Sequence, residues 1–188
     1  MVLQKLREET SDLHNQMENT PLLNHFREKT ISDESYSLIL KKFFSFFSNL
    51  ETELNSFSEI ENFLPDYHER RKSNLILTDL KALNQAPLNI TEKIIPDISS
   101  AGEAFGCLYV MEGSTLGGKI ISSVIMEKLK IGAETGGSFF YGYGPETGIK
   151  WKNFCSALNT FSEEKKQEDA VVKGASETFL KLKNWLEA

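Results

Sequence analysis

The chain has 188 residues, of which 26% are charged and 40% hydrophobic, a globular mixture that excludes a disordered chain and is long enough to bury a core. A formal charge of −6 excludes a broad nucleic-acid surface, which needs clustered Lys and Arg. Two cysteines, Cys107 and Cys155, are too few for a disulfide framework and are not spaced as a zinc site.

No apolar run approaches the ~20 residues of a membrane span. The segment Met1 to Thr10 is charged and lacks the pattern of a secretory signal. These features together point to a cytoplasmic protein with no membrane partner.

Apolar residues three and four apart recur along the chain, while alternating strand patterns do not, so the class is all-α. A first helix is predicted from about Leu3 to Glu18, with Leu6, Leu13 and Met17 on one face and Pro21 stopping or redirecting it. A second starts near Ser32 or Asp33 and carries Phe43, Phe44, Phe47, Leu50 and Leu54. Pro65 marks a break, and Glu69 to Leu83 reads as a third helix with Ile76, Leu80 and Leu83 on one face.

Pro87 and Pro96 bracket a loop. Ser99 or Ser100 then caps a helix that passes Phe105, Leu108 and Met111, meets Gly113, Gly117 and Gly118, and resumes through Ile120 to Leu129, with Gly132 ending it. Gly136 to Gly148 reads as a glycine-rich loop, Thr147 to Leu158 as a short helix, and Ser162 to Trp185 as a closing helix. There is no internal repeat or linker, which predicts a single domain over residues 1–188.

Two features carry chemistry. His14 and Glu18 are four residues apart, on one helix face. A metal-ligating imidazole gives its other N–H to an acceptor that fixes the tautomer, and Glu18 can be that acceptor; the same spacing also describes an exposed surface pair. His25 and His68 have no comparable neighbours in sequence.

The second feature is Gly113, Gly117 and Gly118 inside a helical pattern, where each glycine costs about 1 kcal/mol relative to alanine. Either a neighbouring helix packs very close, or the backbone kinks and approaches a flat ligand. Gly113 to Lys119 also has the spacing of a phosphate-binding loop, but Ile120 stands where Ser or Thr would hold magnesium, and a helix precedes it where that loop follows a strand.

The segment from Leu6 to Glu18 resembles the proximal helix of haem oxygenases. The segment Leu108-Tyr109-Val110-Met111-Glu112-Gly113-Ser114-Thr115-Leu116-Gly117-Gly118 resembles their distal helix, particularly in the bacterial branch that includes enzymes paired with bacteriophytochromes. Gly148, Trp151, Phe154, Ala175 and Phe179 extend the likeness over nearly the whole chain.

The resemblance implies a helical bundle that clamps haem between a proximal helix and a glycine-kinked distal helix. His14 is then the axial iron ligand, Glu18 its partner, and Gly113, Ser114, Gly117 and Gly118 line the oxygen side. It implies oxygen-dependent opening of the haem ring to biliverdin, carbon monoxide and ferrous iron. Electrons come from an external donor such as a ferredoxin or a flavoprotein reductase, and a bacteriophytochrome is a candidate recipient of the product.

Ser114 departs from the aspartate of animal-type members; a hydroxyl can join a water network but is no carboxylate. Arg7, two turns before His14, is the first candidate for the haem propionates, ahead of Lys150 and Lys152. Phe179 is a haem wall or plain core, and the Phe43, Phe44, Phe47 group is core. The alternatives to an enzyme are a non-catalytic haem carrier or sensor of the same fold, and a helical protein of similar fold without haem.

Overall fold

In a computed structural model describing residues Met1–Ala188, the chain folds into α-helices without a strand. Helix α1 spans Val2–Glu18, α2 Pro21–Arg27, α3 Asp33–Leu54, α4 Glu59–Phe63 and α5 Asn74–Ala82. They are followed by α6 Ala101–Leu129, α7 Ser138–Tyr141, α8 Thr147–Lys165 and α9 Glu168–Glu187. No helix is long and apolar enough to cross a membrane.

Local chemistry sets the ends of these helices. Pro21 ends one helix by opening the next, at the first turn of α2 where its missing N–H costs nothing. Ser32 and Ser35 exchange side-chain and backbone hydrogen bonds at the start of α3, with Asp33 and Glu34 in its first turn. Ser100 Oγ accepts from the Glu103 N–H to start α6, and α6 stops when Lys130 adopts φ 61° rather than at Gly132.

Four predicted elements differ from the fold. Glu69 to Leu83 is not one helix: a 3-10 turn at Tyr67–Glu69 gives way to extended backbone at Arg70, and α5 begins only at Asn74. A contact with α3 holds this segment, because Glu51 accepts from the Ser73 N–H at 2.7 Å and from Ser73 Oγ at 2.6 Å and ties it down. The glycine-rich loop contains α7, and α8 continues to Lys165, where Lys166 at φ 57° breaks the chain before α9. Helix α6 runs as one 29-residue helix through all three glycines without an interruption.

Helix α9 is the spine of the site. Gly102 of α6 faces Gln167 and Ala170, Gly106 faces Val171 and Ala175, and Cys107 bonds to Thr178, so the contacts advance together and the two helices run in the same direction. A Cβ on Gly106 would stand 2.1 Å from the Val171 carbonyl oxygen, and one on Gly174 2.1 Å from that of Glu103. These glycines let the two backbones touch. Helix α1 follows α9 in the same sense, with Lys5 paired to Asp169 and His14 set against Phe179. Around this trio, 41 buried apolar side chains form one contiguous core, Phe43 and Phe47 among them.

Candidate functional site

Helices α1 and α6 both pack along α9 with little contact between one another, and the space between them is the candidate groove. Phe179 lies at its base, 5% exposed, and packs edge-on against the His14 ring at a centroid distance of 5.4 Å. His14 itself stands half-exposed on α1, with Glu18 Oε1 3.4 Å from its Nε2. The helical spacing thus does bring the carboxylate to the imidazole, and Phe179 restricts how the ring can turn. The other two histidines are engaged elsewhere: His25 with Thr30 at 2.9 Å and His68 with Glu61 at 2.8 Å.

On α6, Tyr109, Gly113, Leu116, Gly117 and Ile120 fall three and four residues apart and share a face. Leu116 is 48% and Ile120 72% exposed. The three glycines of the motif are not equivalent. A Cβ on Gly117 would meet nothing within 4 Å, and one on Gly113 would meet only the Trp151 ring, at an ordinary 3.7 Å. Gly118 turns the other way, where a Cβ would stand 2.2 Å from the Phe140 carbonyl oxygen.

The sequence pattern groups Gly118 with the other two, but the structure separates it as the site where α7 packs onto α6. Packing gives no reason for glycine at position 117, which borders open space.

Arg7 lies at one end of the groove, where its charge acts on Tyr109 and Cys155. Burial pushes the Tyr109 hydroxyl up, and the Arg7 charge opposes that shift. The Tyr109 ring packs on Trp151, 5.6 Å between centroids, and Trp151 stacks on Phe154. Lys150 is occupied by Asp66 at 2.8 Å, so it is no free cation for a ligand.

Behind Ser114 lies a polar cluster that sequence reasoning missed. Arg71 is 8% exposed, has no carboxylate within ion-pair distance, and donates to the Met111 carbonyl at 2.8 Å, to Ser114 Oγ and, at 3.4 Å, to the Phe139 carbonyl. Its guanidinium lies over the Phe139 ring, 4.1 Å from the centroid. Burial pulls it down to about 10, so it stays charged at neutral pH.

Ser114 Oγ in turn donates to the Met111 carbonyl at 2.7 Å. The neighbouring Arg70 donates to Glu112 at 2.6 Å and to Asp66 at 3.0 Å, and the Tyr143 hydroxyl donates to Glu112 at 3.0 Å while accepting from the Arg71 N–H at 2.8 Å. The run Glu69-Arg70-Arg71-Lys72 reads as a solvated helix face. The tether of Ser73 to Glu51 and the bonds of Arg70 to Glu112 and of the Arg71 N–H to Tyr143 turn it inward, and nothing local in the sequence signals that.

The groove therefore combines an imidazole with an acceptor beside it, an opposing helix face cleared of side chains at two glycines, apolar flanks, and a cation at one end. A flat, largely apolar ligand with acidic groups and a metal that takes nitrogen fits that set. No group of three or more His, Cys, Asp or Glu side chains comes together as a metal site.

The family model described as heme oxygenase matches residues 1–188. Chicken (Gallus gallus) heme oxygenase 1 is 22% identical over 93% of this chain, and the chain spans 65% of that relative's length. The solved structure of heme oxygenase from Neisseria meningitidis, studied with NO and CO bound, superposes with a TM-score of 0.82 at 22% identity, covering 99% of this chain and 90% of that one. Heme oxygenase from Leptospira interrogans gives 0.77 at 19% identity, with 99% and 98% covered. Heme oxygenase-1 from the cyanobacterium Synechocystis, solved with heme, gives 0.71 at 15% identity, with 98% and 90% covered.

Proposed function

The chain belongs to the haem oxygenase family, and from that premise we propose that it binds haem in the groove between α1 and α6 and opens the ring with oxygen, releasing biliverdin, carbon monoxide and ferrous iron. The observation that carries the assignment to this groove is the bare face at Gly113 and Gly117 beside a half-exposed His14 that already has its carboxylate partner.

In this reading His14 ligates the iron through one ring nitrogen and gives the other N–H to Glu18, which raises the basicity of the ligating nitrogen. Phe179, edge-on to the imidazole, keeps the ring from swinging away. Gly113 and Gly117 let the α6 backbone approach the opposite haem face and keep side chains out of the space where oxygen must lie. Arg7 and the Tyr109 hydroxyl hold the propionates at their end of the groove.

Bound haem supplies the redox iron and the carbon that is oxidised, and the protein supplies orientation and protons. Ser114 has one proton and two lone pairs, and Arg71 occupies one lone pair, which leaves the hydroxyl one proton to donate and one lone pair to accept with. It gives that proton to the Met111 carbonyl in this structure and can turn it toward the groove. Glu112, Tyr143 and Arg70 form the continuation of the polar path, in place of the missing aspartate.

Oxygen and electrons from a ferredoxin or a flavoprotein reductase complete the reaction, and a bacteriophytochrome is a candidate recipient of the product. Two unpaired cysteines, one of them buried, support a cytoplasmic setting.

Titration with hemin tests binding directly. A Soret band that saturates at one haem per chain, and that changes in position and intensity in His14→Ala, is the expected result; an identical spectrum in the variant removes His14 as the ligand. Adding a reductant and oxygen then separates the enzyme, which loses the Soret band and gains a biliverdin spectrum, from a carrier, which holds a stable oxygen complex.

A further inference from the structure

Asp79 is a buried carboxylate that takes no part in the reaction as described above. It is 1% exposed, lies on α5, and has no Lys, Arg or His within ion-pair distance. Burial pushes its carboxyl up, opposed by three hydrogen bonds it accepts: Ser138 N–H at 2.8 Å, Ser138 Oγ at 2.7 Å and Phe139 N–H at 2.8 Å. Holding an unpaired carboxylate in the interior is costly, and a serine or asparagine cap would start a four-residue helix without that cost. The position of α7 is what the carboxylate secures.

One residue connects Asp79 to the groove. Phe139 gives its N–H to Asp79, its carbonyl to Arg71 at 3.4 Å, and its ring to the face of the same guanidinium at 4.1 Å. Arg71 in turn donates to Ser114 Oγ. The adjacent Phe140 carbonyl rests on Gly118, so any shift of α7 is also felt by α6 one turn beyond Ser114.

The aromatic contacts of Phe139 with Phe43 and Phe47, at 6.2 and 5.6 Å, hold its ring in the core but tolerate rotation of its peptide. Two hydrogen bonds that a fixed carboxylate accepts from successive N–H groups do not. They hold the first turn of α7, and with it the Phe139 ring and carbonyl, against Arg71.

We infer that Asp79 is a positioning residue for the oxygen side of the groove: by holding the first turn of α7 it keeps the Phe139 ring and carbonyl against Arg71, and through Arg71 it orients the Ser114 hydroxyl. The inference rests on the function proposed above, but its first test needs no haem. In the ligand-free, nitrogen-15-labelled protein, Asp79→Asn keeps the volume and places an N–H2 group where one of two N–H donors must be accepted. Hydrogen exchange at Arg71 Nη1, which donates to the Phe139 carbonyl, is expected to accelerate roughly tenfold, the loss of about one hydrogen bond, while helical content and exchange in the α6–α9 contact stay as in the wild type.

Ser138→Ala, which removes only the hydroxyl donor to Asp79, gives a smaller change in the same direction and serves if Asp79→Asn does not fold. Unchanged Arg71 exchange in both variants overturns the inference, whether or not the protein binds haem.

The second test is a double-mutant cycle on the hemin complex, reading the pH midpoint of the ferric spectrum. Asp79→Asn should shift the midpoint in the wild-type background and leave it unmoved in an Arg71→Met background. Equal shifts in the two backgrounds show that Asp79 does not act through Arg71. Absence of hemin binding by the wild type would count against the proposed function, while Arg71 exchange in the ligand-free protein would still decide the role of Asp79.

Discussion

Glycines 117 and 118 are neighbours in sequence with opposite tasks, and they respond to substitution in opposite ways. Gly117→Ala adds a methyl group in open space on a helix interior, so the ligand-free protein should gain up to about 1 kcal/mol in denaturant unfolding. Gly117→Leu should remain as well folded and lose hemin affinity by roughly tenfold or more, since overlap with a ligand costs at least the 1.4 kcal/mol that factor represents. Gly118→Ala drives a methyl group onto the Phe140 carbonyl and should lose about 3 kcal/mol of stability.

The sequence marks both positions as glycines that need a reason, but the reason lies in which face of α6 meets α7, and that depends on a contact between distant residues. His14 and Glu18 were legible because they sit on one turn. Arg71 was not, because its burial follows from Glu51 of α3 holding Ser73, 22 residues away in the chain.

The helices themselves follow from period and capping where they are long. Ser32 and Ser100 mark the starts of α3 and α6, as their side-chain bonds to Ser35 and Glu103 show. Short helices escape such reading. Helix α7 has four residues, is held by Asp79 and by core aromatics, and is surrounded in sequence by glycine. The unbroken α6 has a related cause. Gly106 and Gly118 are repaid by close contact with α9 and α7, so glycine there marks tight packing and the helix does not break.

Gly106→Ala or Gly174→Ala should therefore separate α6 from α9, at a cost of about 3 kcal/mol and a fall of roughly 6 to 12 °C in melting temperature. A change under a degree in either variant would show that the two backbones are not in contact.

At the scale of the molecule, the all-α class is set by composition and periodicity, whereas the common direction of α1, α6 and α9 rests on pairings between residues more than 60 apart, such as Gly102 with Gln167. One such pairing predicts a pH dependence. Glu103 is buried, which raises its carboxyl, but Lys173 and the Ser99 hydroxyl and N–H outweigh burial and bring it down from 4.5 to about 2. A lowered acid stabilises the fold fully above its unfolded value and loses that contribution as pH falls through the folded one. Stability should thus decline between pH 4.5 and about 2, by at most about 3 kcal/mol from this group, and Glu103→Gln should flatten that part of the curve.

What occupies the groove between α1 and α6 decides the function of the whole molecule, and the most direct measurement of it is the absorption spectrum of the hemin-loaded protein during reduction in air. The Soret band is expected to disappear and the broad bands of biliverdin to replace it, with carbon monoxide released, and neither should happen in His14→Ala. A hemin complex that survives reduction in air unchanged, or a wild-type protein that binds no hemin, would contradict haem opening in this groove.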